Sequence, residues 1–159
     1  MPVILPPAEA GTLVARLRAA GCVFAEEEAR LLAEEATSPV HLERLVERRE
    51  RGHPLEYILG WVEFFGIRIA IDEGVFVPRR RTEFLVREAI AHATSGALVL
   101  DLCCGCGAVG IAIGSAIDGA ELYAADIDPA AVANAQRNFA VFGGRVFEGD
   151  LFDPLPDSL

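Results

Sequence analysis

Apolar residues in the first fifty positions recur at helical spacing. Leu13 and Leu17 stand four apart before Gly21, Ala25, Ala29, Leu32 and Ala36 form a second stripe, and Leu42, Leu45 and Val46 form a third that closes at Gly52. Each set falls on one helix face. The spacing predicts helices over about 8–20, 24–36 and 39–51, behind a proline-rich opening of Pro2, Pro6 and Pro7. Ser38 is placed to cap the third helix and Pro39 to begin it.

The period then changes. Residues 56–65 and 67–71 are rich in β-branched and aromatic types, and Ile67, Ile69 and Ile71 alternate with Arg68 and Ala70 around a break at Gly66. This pattern predicts a β-hairpin. A turn at 72–74 and an extended stretch at 75–78 lead to a helix over 83–93, with Thr82 as its expected cap. From residue 97 the order is strand (97–100), helix (108–117), strand (121–125), helix (129–142, capped by Asp128 and ended by Gly143) and strand (145–148). Strands alternating with helices imply a parallel sheet. The expected fold is therefore α/β: an N-terminal helical bundle (1–54), a β-hairpin connector (55–78) and an incomplete Rossmann-like sheet (79–159).

Ligands of such sheets bind beyond the carboxyl ends of the strands. Asp101, Asp126 and Asp150 stand at or just past the ends of three successive strands and should gather at one edge. Between the first strand and its helix lies Asp101-Leu102-Cys103-Cys104-Gly105-Cys106-Gly107-Ala108-Val109-Gly110. Glycines let that loop turn sharply and approach a ligand closely, and the following helix points free N–H groups into it. The segment reads as a cradle for a nucleotide-like cofactor. Gly105 to Gly110 match G-x-G-x-x-G, with Asp126 placed to meet a ribose diol, a spacing that by itself also suits a nicotinamide-dependent oxidoreductase.

Charge and cysteine content narrow the classes. The net charge is −10, and residues 88–159 hold only two arginines, a poor surface for a phosphate backbone. No direct nucleic-acid partner is expected. The longest apolar stretch, 108–117, is about half of the roughly 20 residues a membrane span needs, so a cytoplasmic protein without a membrane partner is expected. Cys103, Cys104 and Cys106 share one tight loop, an arrangement that does not surround a metal ion tetrahedrally. No metal is assigned.

Asp101 before the loop, Ala125-Asp126-Ile127-Asp128-Pro129 and Gly149-Asp150-Leu151-Phe152 together resemble the cofactor site of class I S-adenosylmethionine-dependent methyltransferases. Upstream, the run Arg51-Gly52-His53-Pro54-Leu55-Glu56-Tyr57-Ile58-Leu59-Gly60-Trp61, then Glu63-Phe64-Phe65-Gly66 and Val77-Pro78-Arg79 with Thr82-Glu83, is similar to the release-factor glutamine methyltransferase family. That resemblance covers roughly residues 45–154. It implies N5-methylation of a glutamine side chain in a protein, a translation release factor, with S-adenosylmethionine as donor and residues 1–54 as the substrate-recognition bundle. It also implies that Cys103, Cys104, Gly105, Cys106 and Gly107, beside Asp101, hold the methionine part of the donor, that Asp126 accepts from the ribose hydroxyls, and that Asp150 and Leu151 flank the adenine.

The sequence departs from the family pattern in three places. The cysteines replace small loop residues. The usual Pro-Arg-Pro-x-Thr-Glu appears as Pro78-Arg79-Arg80-Arg81-Thr82-Glu83. The Asn-Pro-Pro-Tyr segment that binds the acceptor amide in the family does not occur, so no catalytic residue is assigned, and the chain is expected to be a fragment or truncated product that is inactive alone. The competing expectations are an NAD-dependent oxidoreductase fragment and a non-catalytic module whose helical bundle binds a partner.

Overall fold

The computed structural model describes every residue except 1, 2, 4 and 158, so the expectation for Pro2 lies outside the described residues. It divides into two compact units, Met1–Leu59 and Gly60–Leu159.

Unit one carries the helices α1 (Pro7–Ala19), α2 (Ala25–Glu35), α3 (Pro39–Glu50) and α4 (Leu55–Leu59). Leu17, Ala25, Leu32 and Val46 are fully buried at its centre. Apolar burial of this kind is the main term holding such a bundle together. Ser38 Oγ accepts from the His41 N–H at 3.1 Å, as expected of a cap. Arg16 clamps α1 to α3 through Glu43 (2.7 Å) and Glu50 (2.9 Å). Arg49 of α3 turns inward to the buried Glu28 of α2 at 2.6 Å.

Helix α4 corrects the expectation that the first strand begins at 56. Tyr57 and Ile58 are strand-forming types, but Pro54 opens a helical turn in which the Ile58 N–H donates to Pro54 O, and Gly60 ends it at φ 77°. Ile58 and Leu59 are buried, and α4 packs against α2 and α3. Packing overrides β-propensity here.

Unit two opens with an antiparallel hairpin, β1 (Trp61–Phe64) and β2 (Ile67–Ala70), in which Phe64 faces Ile67. Phe65 and Gly66 both hold positive φ, 53° and 75°, the geometry of a tight hairpin turn. A short 3₁₀ turn, Arg80–Thr82, precedes α5 (Glu83–His92). Thr82 makes no side-chain cap, contrary to expectation. Its backbone N–H bends back to Arg79 O at 2.8 Å, and the 3₁₀ turn itself leads into the helix. There follow β3 (Leu98–Leu102), α6 (Ala108–Ala116), β4 (Glu121–Asp126), α7 (Pro129–Phe142) and β5 (Arg145–Glu148), with the three strands parallel in the order β3-β4-β5. Asp128 caps α7 by accepting from the Ala130 N–H. No helix among the described residues is long and apolar enough to cross a membrane.

The hairpin is fastened to the sheet domain by α7. Asn138 Oδ1 accepts from the Ala70 N–H (3.1 Å), and its Nδ2 donates to Ala70 O and to Cys106 O (both 2.8 Å). Asn134 Oδ1 accepts from the Asp72 N–H and its Nδ2 donates to Ala70 O. Two buried amides therefore satisfy the edge of β2 and also hold the glycine loop.

Candidate cofactor site

The loop after β3 is built from three residues in the left-handed region: Cys103 (φ 56°), Gly105 (φ 55°) and Gly107 (φ 80°). The backbone reverses because the Cys104 N–H donates to Ala125 O of β4 and the Gly107 N–H donates to Cys104 O at 2.8 Å. Gly107 then serves as the N-cap of α6. A Cβ on it would stand 2.5 Å from the ring of Phe139, so close packing of α6 on α7 requires glycine there. Gly105 differs, since a Cβ on it would meet nothing nearer than Phe76 O at 3.9 Å.

Two carboxylates set the loop's shape. Asp126, at the end of β4, accepts from the Gly105 N–H (2.8 Å) with one oxygen and from the Asp128 N–H (3.0 Å) with the other. Asp101 reaches across the start of α6 to accept from the Gly110 N–H at 2.8 Å. A cleft of about 370 Å³ lies over them, lined by Asp101, Cys103, Cys104, Gly105, Cys106 and Asp126 among others. That is a volume suited to a small ligand. Six of the nine expected site residues thus share one cavity.

The other three lie elsewhere. Gly107 sits behind the loop against Phe139. Asp150 and Leu151, in the turn beyond β5, are not among the lining residues. The lining also includes Phe76, Pro78, Thr82 and Asp128, which sequence reasoning did not place in the site. Val77-Pro78 and Thr82-Glu83 carried the family resemblance, and that was the available signal.

Burial governs the site's ionisation. Enclosure of the Asp101 carboxyl, reinforced by the nearby charge of Asp126 and opposed by the Gly110 N–H, raises its pKa from the ordinary 3.8 to about 6. Burial pushes the Cys106 thiol up to about 11 and raises that of Cys104 further. Both thiols are neutral at physiological pH. Among the described residues no three His, Cys, Asp or Glu side chains converge on a potential metal site.

The Asp101 shift has a consequence for stability. A carboxyl that holds its proton more tightly when folded favours the folded state below its unfolded pKa and loses that advantage as pH rises through the folded value. Asp101→Asn keeps an oxygen for the Gly110 N–H. Between pH 4 and pH 7 the parent is expected to lose on the order of 2 kcal/mol of stability relative to this variant. Urea unfolding of both proteins at the two pH values measures it, and parallel pH profiles would refute the shift.

Residues 66–158 match the family model described as the methyltransferase small domain. The chain belongs to that family. Over 115 residues, 71% of its length, this methyltransferase-family chain is 42% identical to the release factor glutamine methyltransferase of Geobacter sulfurreducens, of which it covers 40%. The corresponding Corynebacterium glutamicum enzyme is 39% identical over 121 residues, 73% of this chain and 43% of the enzyme. A 4-amino-L-phenylalanine/4-methylamino-L-phenylalanine methyltransferase of Streptomyces pristinaespiralis is 34% identical over 119 residues, 70% of this chain and 41% of that protein. The chain therefore spans about two fifths of the length of these relatives.

Proposed function

We propose that this chain binds S-adenosylmethionine in the cleft over Asp101 and Asp126, and that it forms part of a methyltransferase acting on a glutamine side-chain nitrogen of a protein, a translation release factor. The observation that carries the reading is the fixed Asp126 carboxylate. Its oxygens each accept one backbone N–H, and a carboxylate has about four lone-pair sites, so two remain to accept the hydroxyls of a ribose. Backbone donors hold Asp126 in place before any ligand arrives. Preorganisation of this kind is worth affinity because less ordering remains to be done on binding.

The chain's other residues take roles that fit. Gly105 leaves the cleft open where a side chain would fill it, and the loop from Cys103 to Gly107 takes the methionine portion. Asp101 holds the first turn of α6 through Gly110. Asp150 and Leu151, past the end of the neighbouring strand, flank the adenine. Bound there, the donor supplies an electrophilic methyl group, and the protein's task is to align the acceptor nitrogen with it. The high identity to release factor glutamine methyltransferases supports the choice of acceptor. The Asn-Pro-Pro-Tyr segment does not occur in these 159 residues, so we assign to them donor binding without turnover on their own.

Calorimetric titration with S-adenosylhomocysteine tests the reading, run beside Asp126→Ala and beside NAD. Saturable binding is expected, weakened at least about tenfold by Asp126→Ala, since charge-assisted hydrogen bonds contribute roughly 1.5–3 kcal/mol each. NAD should give no saturable heat. Preferential binding of NAD, or no binding of the homocysteine compound by protein with intact circular dichroism, would refute it.

A further inference from the structure

A second depression, of about 470 Å³, lies between the hairpin turn and the start of α5. Phe65, Gly66, Arg80 and Arg87 line it with Glu63 and Glu83. Glu83 is already committed, because it accepts from the Phe65 N–H (3.3 Å) and from Arg87 (3.0 Å). The Arg87 guanidinium also lies 5.7 Å from the Phe65 ring. Arg80 is exposed and joins no ion pair among the described residues.

Two arginines and two glutamates line this depression, and the segment that supplies both arginines is basic within an acidic unit. Residues 60–159 hold seven arginines against fourteen acids, yet four of the seven (Arg79, Arg80, Arg81 and Arg87) fall within 79–87. An exposed basic tract in an acidic domain attracts a short anionic partner. Arginine in particular presents a planar fork that pairs bidentately with a carboxylate.

We propose that this depression is a docking site for a carboxylate-bearing segment of the protein acceptor, with Arg80 as its principal anchor and Arg87, held by Glu83 and Phe65, as its preset wall. The assignment rests on the methyl-transfer reading above for the identity of the partner as a protein. Position supports it: Arg80 lines this depression and Thr82, in the same 3₁₀ turn, lines the cofactor cleft. An extended peptide advances about 3.3 Å per residue. Its acidic residue would therefore sit within a few positions of the side chain presented to the cleft. A nucleic acid fits less well, because a strand running beyond the depression would track an acidic surface.

Fluorescence anisotropy decides the matter, using a short fluorescein-labelled peptide that alternates glutamate with glycine, its glutamine counterpart and a single-stranded oligonucleotide of matched charge. The glutamate peptide is expected to bind in a salt-sensitive manner, about tenfold more weakly to Arg80→Gln. Arg80→Lys should recover part of the loss. Arg30→Gln, in the helical unit, should bind like the parent. Equal binding of the glutamine peptide, an oligonucleotide that binds as well as the peptide, or an Arg80→Gln variant that binds like the parent would each overturn the proposal. Titration of S-adenosylhomocysteine into the same samples keeps the two readings separate: a parent protein that binds the homocysteine compound but not the glutamate peptide refutes the docking site alone.

Discussion

Gly107→Val is expected to lower the stability of the sheet-bearing unit by about 4 kcal/mol and to abolish donor binding with it. Two independent costs add at this position. The backbone holds φ 80°, a region costing a non-glycine residue roughly 1–2 kcal/mol and more when the side chain is β-branched. The new Cβ would also stand 2.5 Å from Phe139 Cε2 and 3.5 Å from the Ala135 Cβ. Phe139 is only 1% exposed, and overpacking against a buried ring costs about 1–3 kcal/mol. Gly105→Ala is the paired control, since it bears the left-handed strain without the clash and should lose only about 1 kcal/mol. Urea unfolding ranks the two variants, and equal losses would mean that the contact with Phe139 is not the cause.

Asn138→Leu carries the next largest effect, an expected loss of about 2 kcal/mol. Leucine fills a similar volume but strands the Ala70 N–H and Cys106 O, and leaves Ala70 O with Asn134 as its side-chain donor. A buried backbone group left without a partner, here Cys106 O, costs roughly 1–3 kcal/mol, and the Ala70 N–H, on an exposed residue, adds less because water can reach it. The readout that distinguishes this from a simple core defect is hydrogen exchange. The amide of Ala70 in β2 should lose protection along with the loop around Cys106, while amides in the centre of β4 keep theirs. The exposed neighbour Arg137→Gln breaks the pair with Asp72 on the surface and should change stability by less than about 1 kcal/mol. If the two variants behave alike, the amide is not the fastener described here.

The helices and the parallel strands were legible because their signals are local. Leu13 with Leu17, Ser38 before Pro39, Asp128 before Pro129 and the glycines that follow the first, third and last helices (Gly21, Gly52 and Gly143) all act within a turn or two of chain. The loop from Cys103 to Gly107 was legible for the same reason, since glycine fills two of its three positive-φ positions, Cys103 being the third. The position of Asp126 at a strand end beside that loop was legible as well. Helix α4 was misread because Tyr57 and Ile58 have strand propensity, while the contacts that hold them helical come from α2 and α3.

The sequence by itself thus determined the three N-terminal helices, the hairpin, the parallel strands with their helices and the sheet edge at which Asp101 and Asp126 gather. Tertiary structure alone decided what each polar group does there. Asn134 and Asn138 read only as mid-helix asparagines, yet they hold backbone groups of the hairpin 62 to 68 positions away. Asp101 read only as a strand-end carboxylate beside the loop, and its bond to the Gly110 N–H and upward-shifted proton affinity come from the packing of α6 and from burial. Arg80 and Thr82 are close neighbours in sequence, yet they line separate depressions. Backbone conformation is chosen by steric and capping forces that act over a few residues. Hydrogen-bond partners, solvent exposure and proton affinity depend on which distant segments are packed alongside, and no local pattern encodes them.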